Sequence, residues 1–349
     1  MLMLVPDGVN KFLSVADEGS KLMLVTDGES NLRQSLMVGA NLSQSLILEV
    51  CLLKYVFCRW WNQTYVSSNI LNIFQHFTEG ITNKLVGCYK ESEGFGKDVV
   101  LIRIYGANTE LIIDRNTEKN NILFLSKHGL CPPLYAVFEN GLAYGFCPGK
   151  TLDCSSVHCF FFFRQIAKEM VRLHSLKSDS YRDCTVILTF VCTFRFVTEI
   201  GSLEKLKDEY ELLKDTIESM DTSVVMSHND LLLKNIIYDE TTDKISFIDH
   251  EYAMFNYRPY DIGNHFCEYA GVDDVDFSRY PDKQYQLEWL RSYLEEWNTH
   301  NGLTCAVTDE EVQKLYVQVN KCALAAHFFW GLWALIQSKY SKIDFNYFE

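Results

Sequence analysis

The sequence predicts an α+β protein of two lobes, a smaller β-rich lobe followed by a larger, mainly helical one. Short β-branched and apolar runs bounded by turn residues occur over 68–147, a pattern typical of strands. Beyond this range apolar residues recur at spacings of three and four, as on one face of a helix. A chain of 349 residues can bury the cores of two such lobes. We expect the larger lobe to span 148–349, opening with a helix marked by Phe163, Ile166, Met170 and Leu173.

Residues 1–67 precede the smaller lobe and are interpreted as a variable N-terminal extension that need not be well ordered. The segment LMLVPDG at 2–8 recurs almost unchanged as LMLVTDG at 22–28. Two copies are fewer than the about three units that a repeat architecture needs, so we expect no repeat fold here.

Composition and charge exclude several classes of partner. The net charge is −14 and the pI is near 5.1, whereas phosphate backbones and anionic lipid surfaces need clustered Lys and Arg. The 12 cysteines contain no CxxC pair, which favours reduced thiols and a cytoplasmic location. The first residues lack the basic region of a signal peptide, and the apolar stretch 184–197 is shorter than the about 20 residues of a spanning helix. We expect no nucleic-acid partner and no membrane insertion.

Two features of the smaller lobe suit a phosphate-bearing ligand. Gly80, Thr82 and Asn83 lie in a polar turn between two predicted strands, where backbone N–H groups can face phosphates. An ordinary hairpin turn has the same composition. Arg103 interrupts an apolar strand, and a charge in a central strand is costly unless it is paired. An exposed strand face is the alternative for Arg103.

The stretch with the most chemistry is a β-hairpin preceded by a polar loop. Short apolar runs on both sides of the polar turn 239–243 predict its two strands. Folding this hairpin about Thr242 places Asn235 opposite Asp249, because both lie seven residues away. Two such oxygen-bearing side chains suit a hard cation such as Mg2+, with nucleotide phosphates and water completing its shell. Asp230, five residues before Asn235, is then free to act on an acceptor.

The spacing of Asp230, Asn235 and Asp249 is that of the protein-kinase catalytic loop. There an Asp accepts the proton of the substrate hydroxyl, while an Asn and a second Asp bind metal. A lone His-x-Asp is more often a turn or a helix cap, and the ordered motifs downstream are what favour catalysis. HND at 228–230 replaces His-Arg-Asp and DHE at 249–251 replaces Asp-Phe-Gly, so a protein kinase is not favoured.

These motifs closely resemble those of the choline/ethanolamine kinase family. The resemblance rests on HND at 228–230 with Asn235, IDHEY at 248–252, NY at 256–257 and DIGNHF at 261–266. The ethanolamine branch is closer than the choline branch at Leu231-Leu232, at FCEYAGV over 266–272 and at FTEGITNK over 77–84. The resemblance implies a bilobal protein-kinase-like fold and a phosphotransferase that uses ATP and Mg2+ to convert ethanolamine to phosphoethanolamine. That reaction is the first step of the CDP-ethanolamine route to phosphatidylethanolamine.

The resemblance also implies roles for individual residues. The catalytic set is Asp230, which accepts the hydroxyl proton, with Asn235 and Asp249 as metal ligands. The residues assigned to the nucleotide are Gly80, Thr82, Asn83 and Arg103. Glu118 is assigned as the ion-pair partner that orients Arg103, and Glu110 is the alternative to Glu118. The amine is assigned to Glu251, Tyr252, Glu268, Trp330 and Trp333. Two further residues are expected to be structural neighbours of the site, His228 and, as a brace for the loop, Asp261.

A long helix near the end of the chain carries two of the residues assigned to the amine. Thr308 with Glu311 predicts a capping box at its start, and it reaches about Tyr340. Trp330 and Trp333 are three residues apart and share a face. Ordinary core packing is the alternative for such a pair. The resemblance places both on the wall of the amine pocket, where ring faces attract a cation.

Two departures from the family leave other functions open. The segment 178–200 lacks the longer, helix-rich stretch expected there, and family members normally continue beyond Glu349 with a further helix. Alternatives are choline kinase, a small-molecule kinase of the aminoglycoside-phosphotransferase type, and a catalytically impaired nucleotide-binding protein. An intact Asp/Asn/Asp set disfavours a purely structural role. The expected partner is a small amino alcohol, and a homodimer is left open.

Overall fold

The computed structural model describes residues 2–7, 10–17, 20–27, 35–39, 73–77, 84–89, 99–105, 114–138, 141–177, 203–272 and 274–340, with side chains from Leu85 onward except at Leu203 and Tyr340. The chain divides into two compact units, Met1–Thr109 with Ile122–Phe146 and Glu110–Asn121 with Cys147–Glu349. The predicted departure at 178–200 and the residues after Tyr340 lie outside the described part.

The smaller unit is built on a sheet that has nine strands within the described residues. Its strand order is β1-β2-β3-β4-β8-β9-β7-β6-β5, and all neighbours are antiparallel except β4 and β8, which are parallel. Four of these strands lie within residues 1–67, which the sequence analysis interpreted as a variable extension that need not be well ordered. The strands are β1 (Leu2–Asp7), β2 (Asn10–Asp17), β3 (Ser20–Asp27), β4 (Ser35–Gly39), β5 (Ile73–Phe77), β6 (Lys84–Tyr89), β7 (Val100–Ile104), β8 (Leu134–Phe138) and β9 (Gly141–Gly145).

The β8–β9 hairpin packs against a helix through a small hydrophobic cluster. Leu134 and Leu142 pack with Ile122 from the second half of α1 (Arg115–Lys127). At Gly141 a Cβ atom would lie 2.3 Å from the carbonyl oxygen of Arg103. The close approach of β9 to β7 therefore requires glycine at this position.

The larger unit combines helices with two small antiparallel sheets. In one sheet β12 (Ile236–Asp239) pairs with both β10 (Lys150–Thr151) and β13 (Lys244–Phe247). In the other, β11 (Val224–Ser227) pairs with β14 (Met254–Tyr257). The helices that follow α1 are α2 (Phe160–His174), α3 (Leu203–Glu218), α4 (Arg258–Cys267), α5 (Lys283–His300) and α6 (Asp309–Tyr340). The helix predicted from the spacing of Phe163, Ile166, Met170 and Leu173 is α2, so this prediction is confirmed.

The long helix α6 is capped and buried as its sequence predicts. The N–H of Glu311 donates to Thr308 Oγ1 at 3.2 Å, and the N–H of Thr308 donates to Glu311 Oε2 at 2.8 Å. The predicted capping box is therefore confirmed. Helical spacing aligns its buried residues into one stripe that includes Val312, Leu315, Val319, Cys322, Ala326, Phe329, Leu332 and Ile336.

Within the described residues, α6 is also the one helix long and apolar enough to cross a membrane by length and composition. Its stretch Asp309–Lys339 has a mean hydropathy of 1.3 in the most apolar window, and 44% of that window is buried inside the protein. Core helices pass the same test. The absence of membrane insertion thus stays a prediction.

A matched pair of glycines tests the packing of α4 on α6. At Gly263 a Cβ atom would lie 2.7 Å from the carbonyl oxygen of Val319, whereas at Gly331 nothing lies within 4 Å. We expect Gly263→Ala to lower the free energy of unfolding by about 1–3 kcal/mol, because backbone must move to accommodate the methyl group. Gly331→Ala should raise it by up to about 1 kcal/mol, since alanine favours the helix. Urea unfolding measures both, and equal effects would contradict the packing described.

Candidate active site

One buried carboxylate fixes the loop between β11 and β12. Asp261, in the first turn of α4, accepts the backbone N–H of His228 at 2.8 Å and that of Asn229 at 2.7 Å. His174 donates its Nε2–H to the same carboxylate at 3.0 Å, and Tyr293 donates its hydroxyl to the other ring nitrogen at 2.7 Å. Two donors from the loop and one from α2 therefore hold the Asp261 carboxylate in place.

The charge states of this group follow from its surroundings. Burial acts to raise the pKa of Asp261, but the hydrogen bonds donated by His174 and by the backbone N–H of His228 outweigh it and hold that pKa below its usual range. Burial lowers the pKa of His174. Asp261 is consequently ionised at neutral pH, and it selects the imidazole tautomer that carries its proton on Nε2.

Asn229 has a hydrogen-bonding partner for each of its polar groups. Beyond the N–H bound by Asp261, its Nδ2 donates to the carbonyl of Tyr252 at 3.0 Å. Its Oδ1 accepts from Asn256 Nδ2 at 2.8 Å, and its carbonyl accepts from Asn264 Nδ2 at 3.2 Å. The residue adopts a left-handed conformation with φ of 65°, which asparagine tolerates better than most residues. This immobilises the backbone immediately before Asp230.

The sequence reasoning assigned no role to Asn229, Asn256 or Asn264. Their hydrogen bonds join positions 27 and 35 residues apart, and such pairs leave no periodic signal. The sequence feature that could have indicated a role for Asn229 is its place in the middle of HND, where the protein-kinase pattern has arginine.

Asn235 is the last residue of a short 3-10 turn, Leu233–Asn235, that leads into β12, and Asp230 lies three residues before this turn begins. Asn235 Nδ2 donates to the carbonyl of Asp230 at 2.9 Å, which leaves the side-chain oxygen of Asn235 as its ligand atom. An amide oxygen and the carboxylate of Asp249 are hard donors that suit Mg2+ when phosphate oxygens complete the shell. Within the described residues, no group of three His, Cys, Asp or Glu residues is arranged so that it could hold a metal ion.

The hairpin register differs from the one the sequence predicted. The strand pairing and a 3.0 Å hydrogen bond from the N–H of Ile248 to the carbonyl of Asn235 place these two residues opposite each other. The prediction that Asn235 lies opposite Asp249 is therefore wrong by one residue, because the register is centred between Thr241 and Thr242 rather than on Thr242. Asp249 follows in a left-handed conformation with φ of 62°, so strand geometry ends before it.

Carboxylates accumulate around Asp230. Burial, together with the charges of Glu268, Asp249, Glu251 and Asp261, raises the pKa of Asp230 well above its usual range. Burial raises the pKa of Glu268 to about 7. Because desolvation and like charges both disfavour ionisation, a cation that enters this region favours the charged carboxylates. The arrangement suits cationic ligands.

Three aromatic residues form a corner beside these carboxylates. The Tyr252 and Trp330 ring centroids lie 5.2 Å apart with planes at 76°, and those of Trp330 and Trp333 lie 5.7 Å apart at 73°. Trp333 donates its indole N–H to the hydroxyl of Tyr252 at 2.9 Å. The rings are only partly buried. Trp330 also packs against the hydrophobic core cluster that includes Tyr260 and Phe329, so it serves in core packing as well. The ring faces that stay accessible can attract a cation.

The structure describes only some of the residues that were assigned to the nucleotide. Gly80, Thr82 and Asn83 lie outside the described residues, as does Glu110. Arg103 is buried on β7, which opposes the alternative of an exposed strand face. Its pairing with Glu118 stays a prediction.

Arg115 is a cation that the sequence reasoning missed. It donates to Glu118 Oε2 at 2.9 Å and lies 3.6 Å from Glu251 Oε2. Glu118 is fully buried and Glu251 nearly so, so Arg115 compensates two buried charges. The three-residue spacing between Arg115 and Glu118, about one helical turn, is the sequence feature that could have predicted this ion pair.

An Asp-containing loop braced by a helix, with an Asn and a second Asp at the end of a hairpin, defines a kinase-like phosphotransferase. Comparison with known proteins agrees. A family model described as choline/ethanolamine kinase matches residues 74–349. Ethanolamine kinase 1 of Mus musculus is 46% identical over 289 residues, covering 78% of this chain and 79% of that protein. The chain belongs to the choline/ethanolamine kinase family.

Solved structures confirm the predicted fold. An ethanolamine kinase of Plasmodium vivax superposes with a TM-score of 0.76 at 27% identity, covering 88% of this chain and 87% of that one. A choline kinase of Cryptosporidium parvum is similar in fold, with a TM-score of 0.67 at 20% identity and coverage of 83% and 89%. The α+β, bilobal, protein-kinase-like fold class expected from the sequence is thus confirmed.

The brace at Asp261 makes a pH-dependent contribution to stability. We expect Asp261→Asn to lower the free energy of unfolding at pH 7 by about 3 kcal/mol, because an amide cannot accept from all three donors. The folded pKa lies below that of an unfolded Asp, about 3.9. The contribution is therefore present above about pH 4 and is lost as the pH falls through the folded pKa.

Urea unfolding at several pH values checks this expectation. Glu295→Gln, which neutralises an exposed carboxylate on α5, is the matched control and should change stability by less than about 0.5 kcal/mol. Tyr293→Phe removes only the donor to His174 and should cost about 1 kcal/mol. An Asp261→Asn effect that is constant with pH would show that the carboxylate charge is not what holds the loop.

Proposed function

We propose that this protein transfers the γ-phosphoryl group of ATP to ethanolamine, giving phosphoethanolamine and ADP, the first step of the CDP-ethanolamine route to phosphatidylethanolamine. The observation that carries the proposal is the placement of Asp230, which directly follows the fully hydrogen-bonded Asn229, among carboxylates and beside an aromatic corner. The names of the relatives support ethanolamine as the acceptor. Free thiols at all eight described cysteines support a cytoplasmic location.

Asp230 acts on the acceptor hydroxyl. Its carboxylate orients the hydroxyl and accepts its proton as the oxygen forms a bond to phosphorus and the bond to the ADP oxygen breaks. The loop bonds to Asp261 and Asn229 keep this carboxylate in one position, so little reorganisation accompanies the reaction. Asn235 and Asp249 would hold Mg2+, which neutralises charge on the phosphates.

The ammonium group is received by Glu268 and the aromatic corner. A primary ammonium has three N–H donors and favours a carboxylate, whereas a quaternary ammonium has none and depends on ring faces. Carboxylates and ring faces occur together here, because the charges of Glu251 and Asp230 act on Tyr252. The carboxylate favours ethanolamine, and the three rings are the specific observation that keeps choline as the second candidate.

The test is Mg2+-dependent ADP release by the purified chain, with ethanolamine and choline supplied in parallel. We expect turnover that favours ethanolamine and stops when Mg2+ is chelated. Asp230→Asn should lower kcat by at least about a hundredfold, because it removes the proton acceptor, while ATP binding persists. The matched control Asp215→Asn, on the exposed face of α3, should turn over normally.

Other outcomes would replace the proposal. Faster turnover of choline than of ethanolamine would make choline the acceptor and choline kinase the function. Nucleotide binding without turnover of either amine would indicate an impaired, nucleotide-binding family member. Unchanged kcat in Asp230→Asn would exclude Asp230 as the proton acceptor.

Glu268 should make amine binding pH-dependent. With a pKa of about 7, its carboxyl is charged above neutrality and neutral below it. We expect KM for ethanolamine to rise as the pH falls, by up to about tenfold for each unit below this pKa. Glu268→Gln should show a raised KM that varies less with pH over this range than the KM of the wild type. Steady-state kinetics from about pH 6 to 8 measures this, and a Gln variant that retains the wild-type KM profile would exclude Glu268.

A further inference from the structure

Asn264 is the one residue of α4 whose side chain bonds both the loop and the aromatic corner in the described part of the chain. Its Nδ2 donates to the carbonyl of Asn229 at 3.2 Å, directly before Asp230. Its Oδ1 accepts the indole N–H of Trp330 at 2.7 Å. The side chain is fully buried, where hydrogen bonds are strong and leaving a donor unsatisfied is costly.

The other rings of the corner are tied to the same point. Trp333 donates to the hydroxyl of Tyr252, and the carbonyl of Tyr252 accepts from Asn229 Nδ2. The wall that Trp330 and Tyr252 form is thus linked to Asn229 by two routes, and one of them passes through Asn264.

The helices that carry Asn264 and Trp330 are themselves in close contact. Next to Asn264, the backbone of Gly263 approaches that of α6 so closely that a Cβ atom would lie 2.7 Å from the carbonyl of Val319 and 2.9 Å from the N–H nitrogen of Ala323. A tight helix pair with a buried hydrogen bond across it resists small displacements. The separation between Trp330 and Asp230 is therefore defined by contacts within the protein.

We propose that Asn264 is a positioning residue that sets the distance between the amine-binding wall and Asp230, and thereby the length of amino alcohol that is phosphorylated. This inference rests on the proposed function. The nitrogen and oxygen of ethanolamine are separated by two carbons, and 3-amino-1-propanol adds one methylene. A fixed spacing discriminates between these compounds, and a loosened one does so less.

The experiment compares kcat/KM for ethanolamine and 3-amino-1-propanol in wild type and Asn264→Ala. We expect the variant to lose about tenfold for ethanolamine, as for a buried hydrogen-bonding group, and much less for 3-amino-1-propanol. The ratio of kcat/KM for ethanolamine to kcat/KM for 3-amino-1-propanol should therefore fall by about tenfold. A change confined to overall stability would lower both values together.

Asn256→Ala is the matched control. Asn256 bonds Asn229 Oδ1 and the N–H of Tyr257, so it supports the loop without a described bond to Trp330. We expect Asn256→Ala to lower kcat/KM for both amines and to leave their ratio unchanged. Trp330→Phe keeps an aromatic ring but removes the indole N–H, and it should reduce the ratio as Asn264→Ala does, with no further reduction in the double variant.

Each result supports or overturns the inference. A wild-type ratio retained in both Asn264→Ala and Trp330→Phe would overturn it while leaving the proposed function intact. Wild-type protein that phosphorylates neither amine would overturn the proposed function and this inference with it. If Asn264→Ala does not fold, Trp330→Phe carries the same comparison, because it leaves the bond from Asn264 to the loop in place.

Discussion

The set of hydrogen bonds donated to the buried Asp261 carboxylate is the interaction on which the site depends. A buried carboxylate is costly unless donors surround it, and here two successive backbone N–H groups and one imidazole do so. Because the backbone donors come from His228 and Asn229, compensating this charge also fixes the loop. The stability of the larger unit and the placement of Asp230 therefore have one physical origin.

The fixed loop concentrates negative charge. Burial and the surrounding carboxylates raise the pKa of Asp230. Burial raises the pKa of Glu268 to about 7. In the absence of cations these groups oppose one another's ionisation. An ammonium group and a metal ion would relieve that opposition together, so each would favour the ionised Asp230 that proton transfer needs. The electrostatic cost of the free site is what makes binding of cationic ligands favourable.

Sequence reasoning predicted local features better than distant ones. The catalytic hairpin, the capping box of α6 and the helix at Phe163 follow from periodicity and turn chemistry over short windows. The hairpin register failed by one residue because turn length, not composition, sets it. The parallel pairing of β4 with β8 and the amide bonds around Asn229 join distant positions, and no local pattern encodes such contacts. Arg115 was identifiable in principle from its helical spacing to Glu118, but charge pairs at that spacing are common on helix surfaces.

The segment from Asp261 to Glu268 shows how one short pattern can encode a site. Residues 261, 264, 265 and 268 share one helical stripe, and three of them contact consecutive parts of the loop. Asp261 binds the N–H groups of His228 and Asn229, Asn264 binds the carbonyl of Asn229, and His265 donates to the carbonyl of Leu231 at 3.1 Å. Glu268 ends the stripe beside Asp230, while Gly263 faces α6 on another side. A single rotation of α4 would displace every one of these contacts at once, so the register of this helix, more than any one side chain, determines the geometry of the site.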